Sequence, residues 1–165
     1  MVIYMRMFIA LELETNNLLP LKEQLKNVKG RFVNDQNFHM TLAFLGDTPL
    51  NRINDLKNIL NSISLNLKEI NSTNVSTFHK NVVVINFERN VELINYQKKL
   101  TKLLKENNFN FDNKPYVPHL TLIRHSSENI KFEFKKAFKI KKIHLFSSTL
   151  DVNGSIYDSL FTKDI

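Results

Sequence analysis

One short pattern occurs twice in this chain. Phe38-His39-Met40-Thr41-Leu42 returns as Pro118-His119-Leu120-Thr121-Leu122, with the second histidine eighty positions after the first. Each copy lies in a similar setting. Apolar periodicity predicts strands over 5–13 and 38–45 around a helix over 18–28 in the first half, and strands over 82–87 and 116–123 around a helix over 91–107 in the second. A repeat of strand, helix and strand in 165 residues implies a duplicated, two-lobed α+β body. Lobe one is expected mainly from 5–77 and lobe two mainly from 81–162, with strand exchange between them left open.

The remaining segments follow the same logic. Thr48-Pro49 reads as a helix cap followed by proline in the first turn, and Leu50, Ile53, Leu56, Leu60 and Ile63 give the apolar face of that helix. Ile94, Leu100, Leu103 and Leu104 are the inward residues expected of the later helix. Gly30 is the expected stop of the first helix. Further strands are expected over 67–77, 140–150 and 155–162, while 126–136 is too mixed to assign.

On a strand, alternate side chains share a face. His39, Thr41 and Ala43 therefore belong together, with Met40, Leu42 and Phe44 opposite; His119 and Thr121 are likewise opposed to Leu120 and Leu122. The leucines supply core. The histidines and threonines have no such task and are expected to face a cleft between the lobes, where two imidazoles suit general acid and base chemistry near neutral pH. Two adjacent hydroxyls can donate to phosphate oxygens. A phosphodiester is the substrate class that this set fits, without metal or cofactor.

Composition narrows the alternatives. The chain has no cysteine, which excludes disulfide scaffolds, thiolate metal sites and thiol nucleophiles and agrees with a cytoplasmic address. Its opening lacks the basic-then-apolar order of a signal peptide, and no run is long enough for a membrane span, so no membrane partner is expected. The formal charge of +7 points towards an anionic partner such as RNA, although a Lys- and Asn-rich composition produces the same excess without selection for binding.

With the motifs in place, the chain resembles the 2H phosphoesterase superfamily. Arg6-Met-Phe-Ile-Ala-Leu11, Phe38-His-Met-Thr-Leu-Ala-Phe-Leu-Gly46, Pro118-His-Leu-Thr-Leu-Ile-Arg124 and Leu145-Phe-Ser-Ser-Thr-Leu150 with Gly154 and Tyr157 are similar to the bacterial and archaeal RNA 2′,3′-cyclic phosphodiesterases, once called 2′-5′ RNA ligases. The resemblance covers nearly the whole chain. It implies one 2H domain over 1–165, acting as a monomer, that opens an RNA 2′,3′-cyclic phosphate to a 2′-phosphate without metal, and joins RNA ends in reverse. It implies His39 as acid and His119 as base, with Thr41, Thr121 and Arg124 binding substrate. Strict alternation places Arg124 on the leucine face, so it reaches the phosphate only where the strand ends or bends. The chain departs from the family pattern at Ser147 and Thr149, where an acidic-basic pair is expected around Ser148.

Two other readings stay open: a phosphodiesterase for 2′-5′ oligoadenylates or small cyclic nucleotides, and a non-catalytic RNA-end binding module. His79 and His144 are expected at the surface or in structural roles. His125 shares the strand face of His119, but a spacing of six residues is too long for a joint metal site. Phe8, Tyr116 and Tyr157 are candidates for stacking on a base, and core packing is the competing role for each. The Lys-rich stretch 130–142 is expected to be a solvated face, or to cradle an RNA backbone.

Overall fold

The first strand, β1 (Tyr4–Leu13), is the spine of one half of the molecule; its residues Met7 to Leu11 are almost wholly buried. The computed structural model describes residues 1–79 and 81–165. Helix α1 (Leu19–Leu25) follows, then β2 (Arg31–Phe32), β3 (Met40–Pro49), α2 (Ile53–Ser62), β4 (Glu69–Phe78), β5 (Val82–Phe87), α3 (Val91–Glu106), β6 (His119–Arg124), β7 (Lys131–Glu133), β8 (Ala137–Asp151) and β9 (Gly154–Asp164). The protein is α+β. Every strand pair is antiparallel, and the pairs join in one sheet ordered β2-β6-β5-β4-β8-β1-β3, with β7 beside β4 and β9 beside β8.

Hydrogen bonding crosses the halves of the sequence. The strand β4, from the first half, pairs with β5, while β8, from the second, pairs with β1 and carries β9 on its other edge. The long β8 makes this possible, because Ala137–Lys139 pairs with β4 and the stretch from Ile140 onward pairs with β1. A single apolar cluster fills the interior. It includes Leu11 and Met40 of one half and Ile85 and Leu120 of the other, together with Leu56 and Leu60 of α2 and Leu93, Leu100 and Leu104 of α3.

Several local expectations are corrected. Strand β3 continues through Thr48 and Pro49, and a short 3-10 turn over Leu50–Arg52 leads into α2, so Thr48 is not a helix cap. Its hydroxyl donates instead to the Gly46 carbonyl at 3.0 Å. In α3, Leu93 and Tyr96 are buried in place of the expected Ile94 and Leu103, which are half-buried; the true cap is Asn90, whose side chain accepts from Leu93 N at 3.2 Å. Helix α1 ends at Leu25, five residues before Gly30. Gly30 has φ +145°, and a Cβ there would fall 2.6 Å from Ile123 Cγ2, so only glycine lets this segment pass over the end of β6. No helix among the described residues is long and apolar enough to cross a membrane.

Candidate active site

The two motifs carry the same local device. His39 Nδ1 donates to the Asn37 carbonyl at 2.6 Å, and His119 Nδ1 donates to the Val117 carbonyl at 2.7 Å. A carbonyl can only accept, so each neutral ring keeps its proton on Nδ1 and offers Nε2 as the basic nitrogen. At His39, Nε2 accepts from the Thr41 hydroxyl at 3.1 Å. Thr121 stands half-buried two residues beyond His119 in β6. In the sheet path β3 is the last strand at one end and β6 the last but one at the other, yet the two come within 8 Å at Cα, because the sheet bends round until its motif strands meet.

That meeting places positive charge beside both rings. Burial, the main cause, pulls His39 down to about 4; the Asn37 carbonyl opposes this, while the charges of Arg124 and His119 add to it. His119 is also lowered, first by burial, with the Val117 carbonyl opposing and Arg124 and His79 contributing. Both imidazoles are thus held neutral below the usual histidine value.

Arg124 reaches this position because β6 is bulged. Thr121 pairs with Val84 and Ile123 with Val83, so Leu122 is the extra residue on its strand. One added residue inverts the alternation beyond it. Leu122 and Ile123 are consecutively buried, and Arg124 turns out to the exposed side. The first motif has the same bulge: Thr41 pairs with Ala10 and Ala43 with Ile9, leaving Leu42 unmatched. Ala43 is therefore buried and Phe44 37% exposed, the reverse of what strict alternation assigns. Both displaced carbonyls find donors outside the local hairpin ladder. Gln97 Nε2 donates to Leu42 O at 3.2 Å, and Val33 N–H donates to Leu122 O at 2.9 Å.

An aromatic wall surrounds the histidines, made of the expected Phe8 and Tyr157 together with Phe44, Phe78 and Phe146, which the sequence reading does not place there. Phe8 lies 5.0 Å from the His39 ring, stacks on Phe44 at 5.6 Å and meets Phe146 at 5.2 Å. Tyr157 stands edge-on to both Phe8 and His39, at 4.9 and 5.3 Å. On the other side, Phe78 stacks on His119 at 5.1 Å. Phe146 and Phe78 occupy matching places: Phe146 pairs with Phe8 of β1 as Phe78 pairs with Val82 of β5. The signal for both was present in the sequence, as an aromatic within each strand neighbouring a motif hairpin, but it was hidden among thirteen phenylalanines.

Other candidates fall elsewhere. Tyr116 is half-buried against the core with its hydroxyl enclosed and unpartnered, and burial pushes its ionisation well up, so it packs against the core and is not a stacking platform. His125 lies beyond the end of β6 with a left-handed φ of 57°, so it does not share the strand face of His119. His144 is 8% exposed and bridges Glu12 Oε1 and Ser159 Oγ, each at 2.8 Å. Burial works to raise Glu12, but the bond and charge of His144 and the charge of Lys141 outweigh it and leave the carboxyl below its ordinary value. Ser147 is buried and Thr149 exposed. Among the described residues no three His, Asp or Glu side chains gather as metal ligands.

The family model described as LigT like Phosphoesterase matches this chain twice, over residues 11–84 and 85–157. The chain belongs to the LigT-like phosphoesterases. The two matches divide the chain as the duplicated motifs do, with one His-x-Thr-Leu in each. Among curated members, the RNA 2′,3′-cyclic phosphodiesterase of Methanocaldococcus jannaschii is 28% identical over 93% of this chain and 97% of its own length. The LigT fold is also that of TT0787 from Thermus thermophilus, with TM-score 0.84, 20% identity and 97% of each chain covered. E. coli LigT complexed with NADP+ has TM-score 0.82, 22% identity and 98% of each chain covered.

Proposed function

We propose that this LigT-like phosphoesterase hydrolyses the 2′,3′-cyclic phosphate at an RNA end to a 2′-phosphate, by metal-independent acid–base catalysis between His39 and His119. The observation that supports this most is the matched pair of rings. Each is fixed by a backbone carbonyl at Nδ1 and presents Nε2, and Arg124 lies close enough to act electrostatically on both. His119 Nε2 takes a proton from water as the water oxygen attacks phosphorus. The bond from phosphorus to the ribose 3′ oxygen breaks, and protonated His39 gives that oxygen its proton.

Thr41, Thr121 and Arg124 hold the non-bridging oxygens in this scheme, where negative charge accumulates. The Thr41 hydroxyl must leave His39 Nε2 for the phosphate, which frees that nitrogen to carry the proton it will donate. An RNA 5′-hydroxyl in place of water, attacking phosphorus by the same steps, gives its proton to His119 and expels the 3′ oxygen, which forms a 2′-5′ link. The charge of +7 strengthens attraction to RNA without choosing its sequence.

Phosphorus NMR of the product formed from a nucleoside 2′,3′-cyclic phosphate tests the proposal. A 2′-phosphate is expected. A 3′-phosphate would reverse the assignment of the leaving oxygen, and tight RNA binding without turnover of any cyclic phosphate would favour a binding module.

A further inference from the structure

Next to His39 is a cavity of about 390 Å³ between the segment before the first motif and the β8–β9 hairpin. Asn34, Gln36 and Asn37 line one side, Asp151 and Asn153 the other, and Tyr157 contributes its ring. The two sides are braced by Asn37, whose Nδ2 donates to the Ser155 carbonyl at 2.9 Å. Two of these residues also belong to the reaction centre. The Asn37 carbonyl fixes the His39 ring, and the Tyr157 ring stands 5.3 Å from it.

We propose that this pocket holds the nucleobase of the nucleotide bearing the cyclic phosphate, with its polar edge read by the amides of Asn34 and Asn153. The inference rests on the function proposed above and adds the part of the substrate that the site reads. The lining chemistry selects the occupant. The pocket includes the Asp151 carboxylate, which disfavours a second phosphate, and the Arg31 guanidinium lies against its Gly154. Its amides favour a neutral group with both donors and acceptors, and a tyrosine ring beside them suits a flat one.

The two amides are available for this work. Asn34 precedes the 3-10 turn Asp35–Asn37 without capping it through its side chain, and Asn153 lies in the two-residue turn between β8 and β9. Both are exposed. A base reached through the ribose of a phosphate held at His39 is the nearest part of an RNA end to such a pocket.

The test compares the four nucleoside 2′,3′-cyclic phosphates with methyl riboside 2′,3′-cyclic phosphate, which has no base, on the wild-type protein and on the double variant Asn34→Ala/Asn153→Ala. At least one nucleoside substrate should exceed the base-free one about tenfold in kcat/KM, a difference carried by KM. The double variant should lose that advantage, keep kcat, and treat the base-free substrate as before. Equal kcat/KM for base-bearing and base-free substrates, or an advantage unchanged in the variant, would overturn the pocket assignment and leave the phosphodiesterase reading intact. Failure of the wild-type protein to turn over any of the five would overturn the underlying function instead.

Discussion

Phe78 lies with its ring 5.1 Å from that of His119, inclined by 26°, at the point where β4 ends. The contact helps to keep the imidazole out of water, and burial is the largest cause of the lowered pKa of His119. Phe78→Ala admits solvent to the ring. The His119 pKa should rise towards about 6.5, its ordinary value, as followed by NMR titration of the ring protons. A value that stays put would mean that the strand bearing His119, and not Phe78, provides the burial.

Single His39→Ala and His119→Ala changes should each reduce kcat by roughly 10²- to 10⁴-fold, the range of general acid–base catalysis, with circular dichroism and melting near wild type. The double variant should be little worse than the weaker single one, because the two groups act on one step. Comparable losses in His79→Ala or His125→Ala would show that another histidine carries the chemistry.

The pH profile has a direction fixed by burial. Productive free enzyme holds one proton on the acid and none on the base, and in the free protein His39 is drawn to about 4 and His119 also lies below the usual value. The bell in kcat/KM should therefore peak on the acid side, below the ordinary histidine value. Raising pH beyond it removes the acid's proton, and lowering pH protonates the base. A bound phosphodiester anion offsets the Arg124 charge and favours protonation, so the kcat profile should sit at higher pH than that of kcat/KM. Coincident profiles would argue that the anion does not lie beside the rings.

His144→Ala should separate structure from chemistry. Its ring bonds Glu12 and Ser159 and stacks on Phe146 at 4.6 Å, with Phe146 between it and the His39 ring. Removing it leaves the Glu12 carboxylate short of a partner and should cost about 1–3 kcal/mol of stability, seen as a lower Tm. The kcat of the folded fraction should remain near wild type.

Activity should survive exhaustive chelation, since the proposed steps use only imidazole, hydroxyl and guanidinium groups. Loss with EDTA that only a divalent ion restores would count against the two-histidine scheme.

Much of this molecule was legible in one dimension. The paired His-x-Thr-Leu motifs, the strand-helix-strand repeat and the presence of α2 and α3 depend on spacing within a few residues, and spacing is what a sequence states directly, although in α3 it misplaces part of the buried face, at Ile94 and Leu103. Whether Arg124 and Phe44 face the cleft was not legible. It depends on a bulge, which arises when one strand places two residues opposite one on its partner, and the carbonyls it displaces are satisfied by Gln97 and Val33, 55 and 89 positions away. Strand order was hidden for the same reason. The local pattern announces β4 and β8 as strands, but which neighbour each one bonds is chosen by the burial that the whole sheet can achieve at once, and that choice brings β3 and β6, and with them the two motifs, side by side.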